Sequence, residues 1–294
     1  MLKDKKSIHY ESLRDKWTQK HKKLQKEIFE KHKESLEWFV DNSKQFAVGS
    51  LAGLFLLTSP IFPKIQTGFP QASAQISQAI DKKVFLVYDL KNVLPQEVAP
   101  LTPEQEKSVA EVLTRTYGMK VSPELEGIRL NTSYGYIGQE QHLARYPGDN
   151  MIGHFESLEN SNDYFSYGMA PGLGAWGYFA DSQSALTQTD IDREKYYIAV
   201  QTFLAPVFND NVKKYVDFFK YRKMLVVNPQ NGKAVVADIA DAGPSPWTGK
   251  QLGGSPEVMR YLERVDGSQK GPVLYFFIDD PNDTIPLGPI NYEK

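Results

Sequence analysis

Between Asn228 and Leu262 the chain reads NPQNGKAVVADIADAGPSPWTGKQLGGSPEVMRYL, and no other stretch restricts the possible folds as tightly. A turn signal at Asn228, Pro229, Asn231 and Gly232 leads into an alternating apolar run from Lys233 to Ala240, after which Asp241 heads a second loop rich in Gly and Pro. That order predicts hairpin, strand, loop and helix. The helix is expected from Ser255, as N-cap, through Pro256 at its first position to Arg264. A lone carboxylate where a buried strand meets a loop is a place for acid chemistry. Asp238 is expected on the strand face opposite Asp241, and solvated.

The flanking sequence extends the pattern. From Asp163 onward, short apolar and aromatic runs (YFSYGM, GAWGYF, YYIAVQTF, KMLVVNP, PVLYFFID) alternate with turn signals. Several short strands and one helix at this spacing predict a small closed β-barrel over residues 161–280, with 281–294 as a tail. Residues 81–160 are expected to form a small α+β lead-in. Within it Val84 to Leu90 reads as a strand. Thr102 to Tyr117 reads as a helix, with Thr102 as N-cap, Pro103 at the first position, Glu104 and Glu106 in the first turn and Gly118 as the stop.

Charge divides the chain of 294 residues into unlike parts. Residues 1–44 carry 12 Lys and Arg against 8 Asp and Glu, contain no Pro or Gly, and predict a basic helix with a narrow apolar stripe through Leu13, Trp17, Leu24, Ile28, Leu36 and Phe39. Such a helix suits an anionic membrane surface, a weak coiled coil, or a solvated rod ahead of an anchor. Residues 45–63 hold no charge, close to the roughly 20 residues that span a bilayer, although Ser50, Thr58 and two prolines also leave a buried core helix open. With the basic segment before it, the positive-inside rule keeps residues 1–44 cytoplasmic and exports the body through a single span. Residues 64–80, small and polar, read as a linker. The remainder is acidic, which argues against nucleic acid as a partner. The absence of cysteine excludes disulfides and thiol catalysis.

GAWGYF, the Asn228 to Leu262 stretch and GPVLYFFI together resemble the double-psi β-barrel domain of the rare lipoprotein A family, over roughly residues 164–279. In that family a tryptophan-containing strand opens the barrel and an Asn-x-x-Asn-Gly hairpin feeds a strand ending in Asp-x-Gly-Pro. The resemblance implies a mainly β fold with a six-stranded double-psi barrel, and lytic transglycosylase activity on peptidoglycan glycan strands, with Asp241 as the essential acid. Gln201 stands where the family has a histidine, and Lys250 where it has an arginine; Gly253, Gly254 and Ser255 replace its Asp-Leu-Ser.

Asp241 is suited to such chemistry because desolvation keeps a carboxyl group protonated near neutral pH. A transglycosylase needs only one carboxyl, since a hydroxyl of the sugar itself closes the anhydro ring. Trp176, Tyr178 and Trp247 offer either aromatic faces for sugar rings or side chains for the barrel core, and Lys250 a polar contact. The residues leave a second role open for Asp241, that of a carboxylate accepting backbone N–H bonds in the following loop. They equally leave open a non-catalytic module binding glycan or an envelope or division protein. His142 and His154, with Asp149 and Glu156 nearby, fit no familiar ligand spacing, and no metal or other cofactor is expected.

Overall fold

The computed structural model describes residues 71–155, 157–264 and 270–291, all within one compact unit. The segments read as a cytoplasmic helix and a membrane anchor, and the linker before residue 71, lie outside the described residues. Among those described, no helix is long and apolar enough to cross a membrane.

Two helices open the described chain, α1 (Gln71–Val93) and α2 (Pro103–Tyr117). Both depart from or refine the sequence reading in an informative way. The stretch Val84 to Leu90, expected as a strand, lies inside α1, and residues 71–80, expected as a linker, are helical as well. Leu86 and Leu90 are buried while Val84, Phe85 and Tyr88 are exposed. A spacing of four separates inside from outside here, which is a helical period. Helix α2 has the termini its sequence predicts: the Thr102 hydroxyl accepts from the Gln105 N–H, the Gln105 side chain accepts from the Thr102 N–H at 3.0 Å, and Gly118 closes the helix at φ 69°.

The strands are β1 (Val121–Ser122), β2 (Glu124–Leu125), β3 (Ile128–Arg129), β4 (Tyr134–Gln139), β5 (Tyr197–Val200), β6 (Lys223–Val227), β7 (Ala234–Ala242), β8 (Leu252–Gly254), β9 (Lys270–Ile278) and β10 (Gly288–Pro289). Around a ring, β9 pairs antiparallel with β4, β4 parallel with β8, β8 antiparallel with β5, β5 parallel with β7, β7 antiparallel with β6, and β6 antiparallel with β9. The result is a closed six-stranded mixed β-barrel with flanking helices. Helices α3 (Leu158–Tyr164), α4 (Gln188–Lys195), α5 (Val212–Phe219) and α6 (Pro256–Tyr261) fill the connections.

Alternation along the strands explains both the core and the apolar texture of the sequence. Val226, Val235, Ala237, Val273, Tyr275 and Phe277 face the barrel interior, which α5 enters with Phe218 and Phe219. Their neighbours Leu225, Val236, Leu274 and Phe276 face outward beneath Leu86, Leu90, Val109 and Leu113 of α1 and α2. Strands β6, β7 and β9 are therefore buried on both faces, so they read as continuous apolar runs.

Three boundaries differ from the sequence reading. Strand β4 belongs to the stretch read as a lead-in, so the barrel reaches back across residue 161. YFSYGM and GAWGYF are not strands: the first overlaps α3 and a following 3₁₀ turn, and the second is a loop with Gly177 at φ 83°. Residues 288–289, read as part of a tail, instead pair with Val235 and Val236 of β7. For β4 and residues 288–289, short glycine- or proline-containing sequence disguises a pairing made with distant chain.

Candidate functional site

A bulge decides how β7 presents its acids. Ile198 of β5 pairs with Ile239, but Ala199 pairs with Asp241, so Ala240 is the extra residue. Asp238 is opposite Tyr197 and Asp241 opposite Ala199, two positions that share one face of β5. Asp238 and Asp241 therefore lie on the same side of β7, not on opposite sides as a regular strand predicts. Nor is Asp238 solvated; it is 1 % exposed, beneath Arg193 of α4, whose Nε is 3.7 Å from its Oδ2.

Asp241 is half-buried at the barrel's end. Its Oδ1 accepts the backbone N–H groups of Ala242 and of Ala175, each at 2.8 Å. No hydrogen bond reaches its Oδ2 among the described residues. Burial raises the carboxyl above its ordinary range, against the pull of the two N–H groups. The Ala175 contact depends on Gly174, where a Cβ would stand 3.0 Å from the Ala240 carbonyl oxygen.

Beside it lies a carboxylate that sequence reasoning missed. Glu140, immediately after β4, pairs with Lys250 at 3.2 Å. Burial raises the Glu140 carboxyl, Lys250 opposes the rise, and the charge of Asp241 adds to it. The position is made by small residues: a Cβ on Gly253 would stand 2.4 Å from Glu140 Oε1, and one on Gly138 2.0 Å from Cδ of Lys250. Long polar chains lie flat over these glycines. The only sequence clue was the glycine pattern in YGYIGQ and QLGG, which also hid the strands.

Gln201, 3 % exposed, donates from Nε2 to the carbonyls of Pro244 (2.9 Å) and Lys250 (3.1 Å), and its Oε1 accepts from Asn131 at 3.4 Å. It ties the loop after Asp241 to the end of β5. Trp176 donates its Nε1–H to the Ile239 carbonyl at 2.9 Å and packs against the core, so it anchors the Ala175 segment. Tyr178 and Trp247 stay open, Trp247 at 87 % exposure, and Trp247 does not seal the acid.

A cleft of about 710 Å³ has Asp238, Arg193, Tyr221 and Lys223 among its walls, while Glu140, Gln201, Asp241 and Lys250 do not line it. Neither carboxylate oxygen of Asp238 has a hydrogen-bond partner among the described residues. Burial pushes this group well above the carboxylate range, with Arg193 and Lys223 opposing.

Contrary to the spacing argument, His142, His154 and Asp149 do meet, through a glutamate far along the chain. Glu194 of α4 stands between the rings, 3.3 Å from His142 Nδ1 and 2.9 Å from His154 Nε2. Asp149 reaches His154 Nδ1 at 3.1 Å and takes the Arg145 guanidinium at 2.9 Å. Burial disfavours the His154 cation, yet the two carboxylates outweigh it and hold the ring at about 9. Glu257 is adjacent, its carboxyl pushed up by burial to about 7. Glu156, the fourth member considered from sequence, lies outside the described residues. Tyr197 separates this network from Asp241 and Glu140, with its hydroxyl donating to the Gln141 carbonyl. Compared with protein-family models, curated proteins and solved structures, the chain matches none.

Proposed function

We propose that the barrel is a double-psi domain of the rare lipoprotein A type that binds and cleaves peptidoglycan glycan strands outside the membrane, with Asp241 as general acid and base. One observation carries the reading: Oδ1 of Asp241 is clamped by two backbone N–H groups, while Oδ2 of the same burial-raised carboxyl is left without a bond. The clamp fixes the group and the free oxygen carries the proton.

In the proposed step, Oδ2–H protonates the leaving glycosidic oxygen as the bond to the anomeric carbon breaks. A hydroxyl of the same sugar then attacks that carbon, and its proton returns to Oδ2 as the anhydro ring closes. No water is consumed. Glu140, held by Lys250, adds negative charge near the developing oxocarbenium ion. Gln201 holds the loop, and Tyr178 and Trp247 are the exposed faces on which sugar rings stack. Export rests on the uncharged run 45–63 behind a basic segment.

The test is muropeptide release from purified sacculi by the full-length protein and by Asp241→Asn. Anhydro-sugar products from the wild type that disappear in the variant support cleavage. Sedimentation with sacculi without release would leave a glycan-binding module in place of the enzyme.

A further inference from the structure

His142, His154, Glu194 and Glu257 are brought together from the loop after β4, the turn ending at Phe155, α4 and α6. All are buried, Glu257 being the most exposed at 7 %. Donor atoms of the first three lie within 4.8 Å of one another. Oε2 of Glu257 is 4.0 Å from His142 Nδ1 and has no hydrogen-bond partner among the described residues. His154, Glu194 and Glu257, with Arg145 and Lys195, line a small half-open recess of about 30 Å³, room for one ion or one water, and His142 lies behind its wall.

The surroundings are those of an oriented ligand set. Asp149 takes His154 Nδ1, which leaves Nε2 pointed at Glu194, and Arg145 fixes Asp149 through its side chain at 2.9 Å and its backbone N–H at 3.0 Å. The backbone N–H of Leu143 orients Glu194 at 3.0 Å. A carboxylate behind a ligating imidazole is the usual means of setting its tautomer and direction. An ion-pair network without a metal accounts for His154, Glu194 and Asp149. It leaves the Glu257 Oε2 buried without a hydrogen bond, 4.0 Å from the His142 ring nitrogen, a costly arrangement. A dication would neutralise Glu194 and Glu257 together, with Asp149 remaining paired to Arg145.

We propose that His142, His154, Glu194 and Glu257 form a closed site for a first-row divalent cation of the zinc class. Two imidazoles and two carboxylates suit zinc better than magnesium or calcium, which favour oxygen alone. Donors around a tetrahedral ion with bonds of about 2.0–2.2 Å stand roughly 3.3–3.6 Å apart, so the His142, His154 and Glu194 donors, within 4.8 Å of one another, contract by up to about 1.5 Å. Four protein donors make the site structural, tying the loop that carries Glu140 to α4 and α6. The proposal is independent of the glycan reading.

The experiment uses the full-length protein freed of metal with a chelator, then titrated with Zn²⁺, and separately with Mg²⁺, by calorimetry. One Zn²⁺ per chain, no comparable Mg²⁺ binding, and a Zn²⁺-dependent rise in unfolding temperature are expected. Co²⁺ in its place should give visible d–d absorption that Zn²⁺ displaces. Asp149→Asn, which removes the charge facing both His154 and Arg145 but keeps a polar side chain of the same shape, should weaken Zn²⁺ about 10- to 100-fold. Glu257→Gln should weaken it at least tenfold while the folded chain's circular dichroism is unchanged. Failure of the wild type to take up stoichiometric Zn²⁺, or Zn²⁺ binding unaltered in both variants, overturns the proposal.

Discussion

Asp238 and Asp241 occupy one face of β7 because Ala240 is bulged out opposite the Ile198–Ala199 step of β5. The two acids nevertheless differ. Asp238 is sealed beneath Arg193 with both oxygens unbonded, whereas Asp241 is half-open with one oxygen clamped and one free. A single-residue irregularity has placed two carboxyl groups in two environments on the same side of the sheet.

The Asp241 clamp sets the first prediction. Asp241→Asn keeps a carbonyl oxygen to accept from Ala175 and Ala242, so its stability should stay within about 1 kcal/mol of wild type. Asp241→Ala abandons both N–H groups and should cost about 1–3 kcal/mol. Chemical denaturation of the two variants measures the difference. Equal losses would show that the two bonds contribute little.

Asp238 makes a prediction about pH. Its carboxyl is raised in the folded protein, so it binds a proton more tightly there than in the unfolded chain, whose Asp titrates near about 4. Its contribution is fully present below that unfolded value and is lost as pH rises toward the folded one. Asp238→Asn removes the ionisation, and its denaturation midpoint should therefore fall less than that of wild type between about pH 5 and pH 8. Parallel pH profiles for the two proteins would refute the assignment.

Helix α2 offers a local test. Thr102→Ala deletes the acceptor for the Gln105 N–H and breaks the capping box, and should cost about 1 kcal/mol, while Thr102→Ser keeps the hydroxyl and should lie within a few tenths. Thermal unfolding should show a drop of roughly 2–4 °C for the alanine variant. No drop would mean that α2 is held by its packing on the barrel and gains nothing from its cap.

Phe219 tests the segment that carries α5 between β5 and β6. It is fully buried, and its ring centroid is 5.2 Å from that of Phe218 and 6.3 Å from that of Phe277 in β9. Phe219→Ala should cost about 3–5 kcal/mol, a core penalty, readable as a shift in denaturant midpoint at unchanged slope. A loss below about 1 kcal/mol would instead mark the segment as a surface insertion.

What could be read from the sequence was what neighbouring residues settle among themselves. Thr102 with Gln105, Gly118 after α2, Ser255 before Pro256, and the Asn228 to Gly232 turn all act within a few positions, where caps and turns are chemically specified. The apolar runs of β6, β7 and β9 were legible because burial on both faces fills them with apolar side chains, Asp238 in β7 being the buried exception. Strand β4 and the short β8 were not, since Gly138 and Gly253 matter only for the side chains of Lys250 and Glu140 that cross them. The environments of Asp241, Asp238 and the His142–His154 pair depended on partners 66 positions away at Ala175, 45 away at Arg193 and 52 or 40 away at Glu194. Acidity, burial and ligand geometry arise from those long-range approaches, and only closure of the barrel brings the partners within bonding distance.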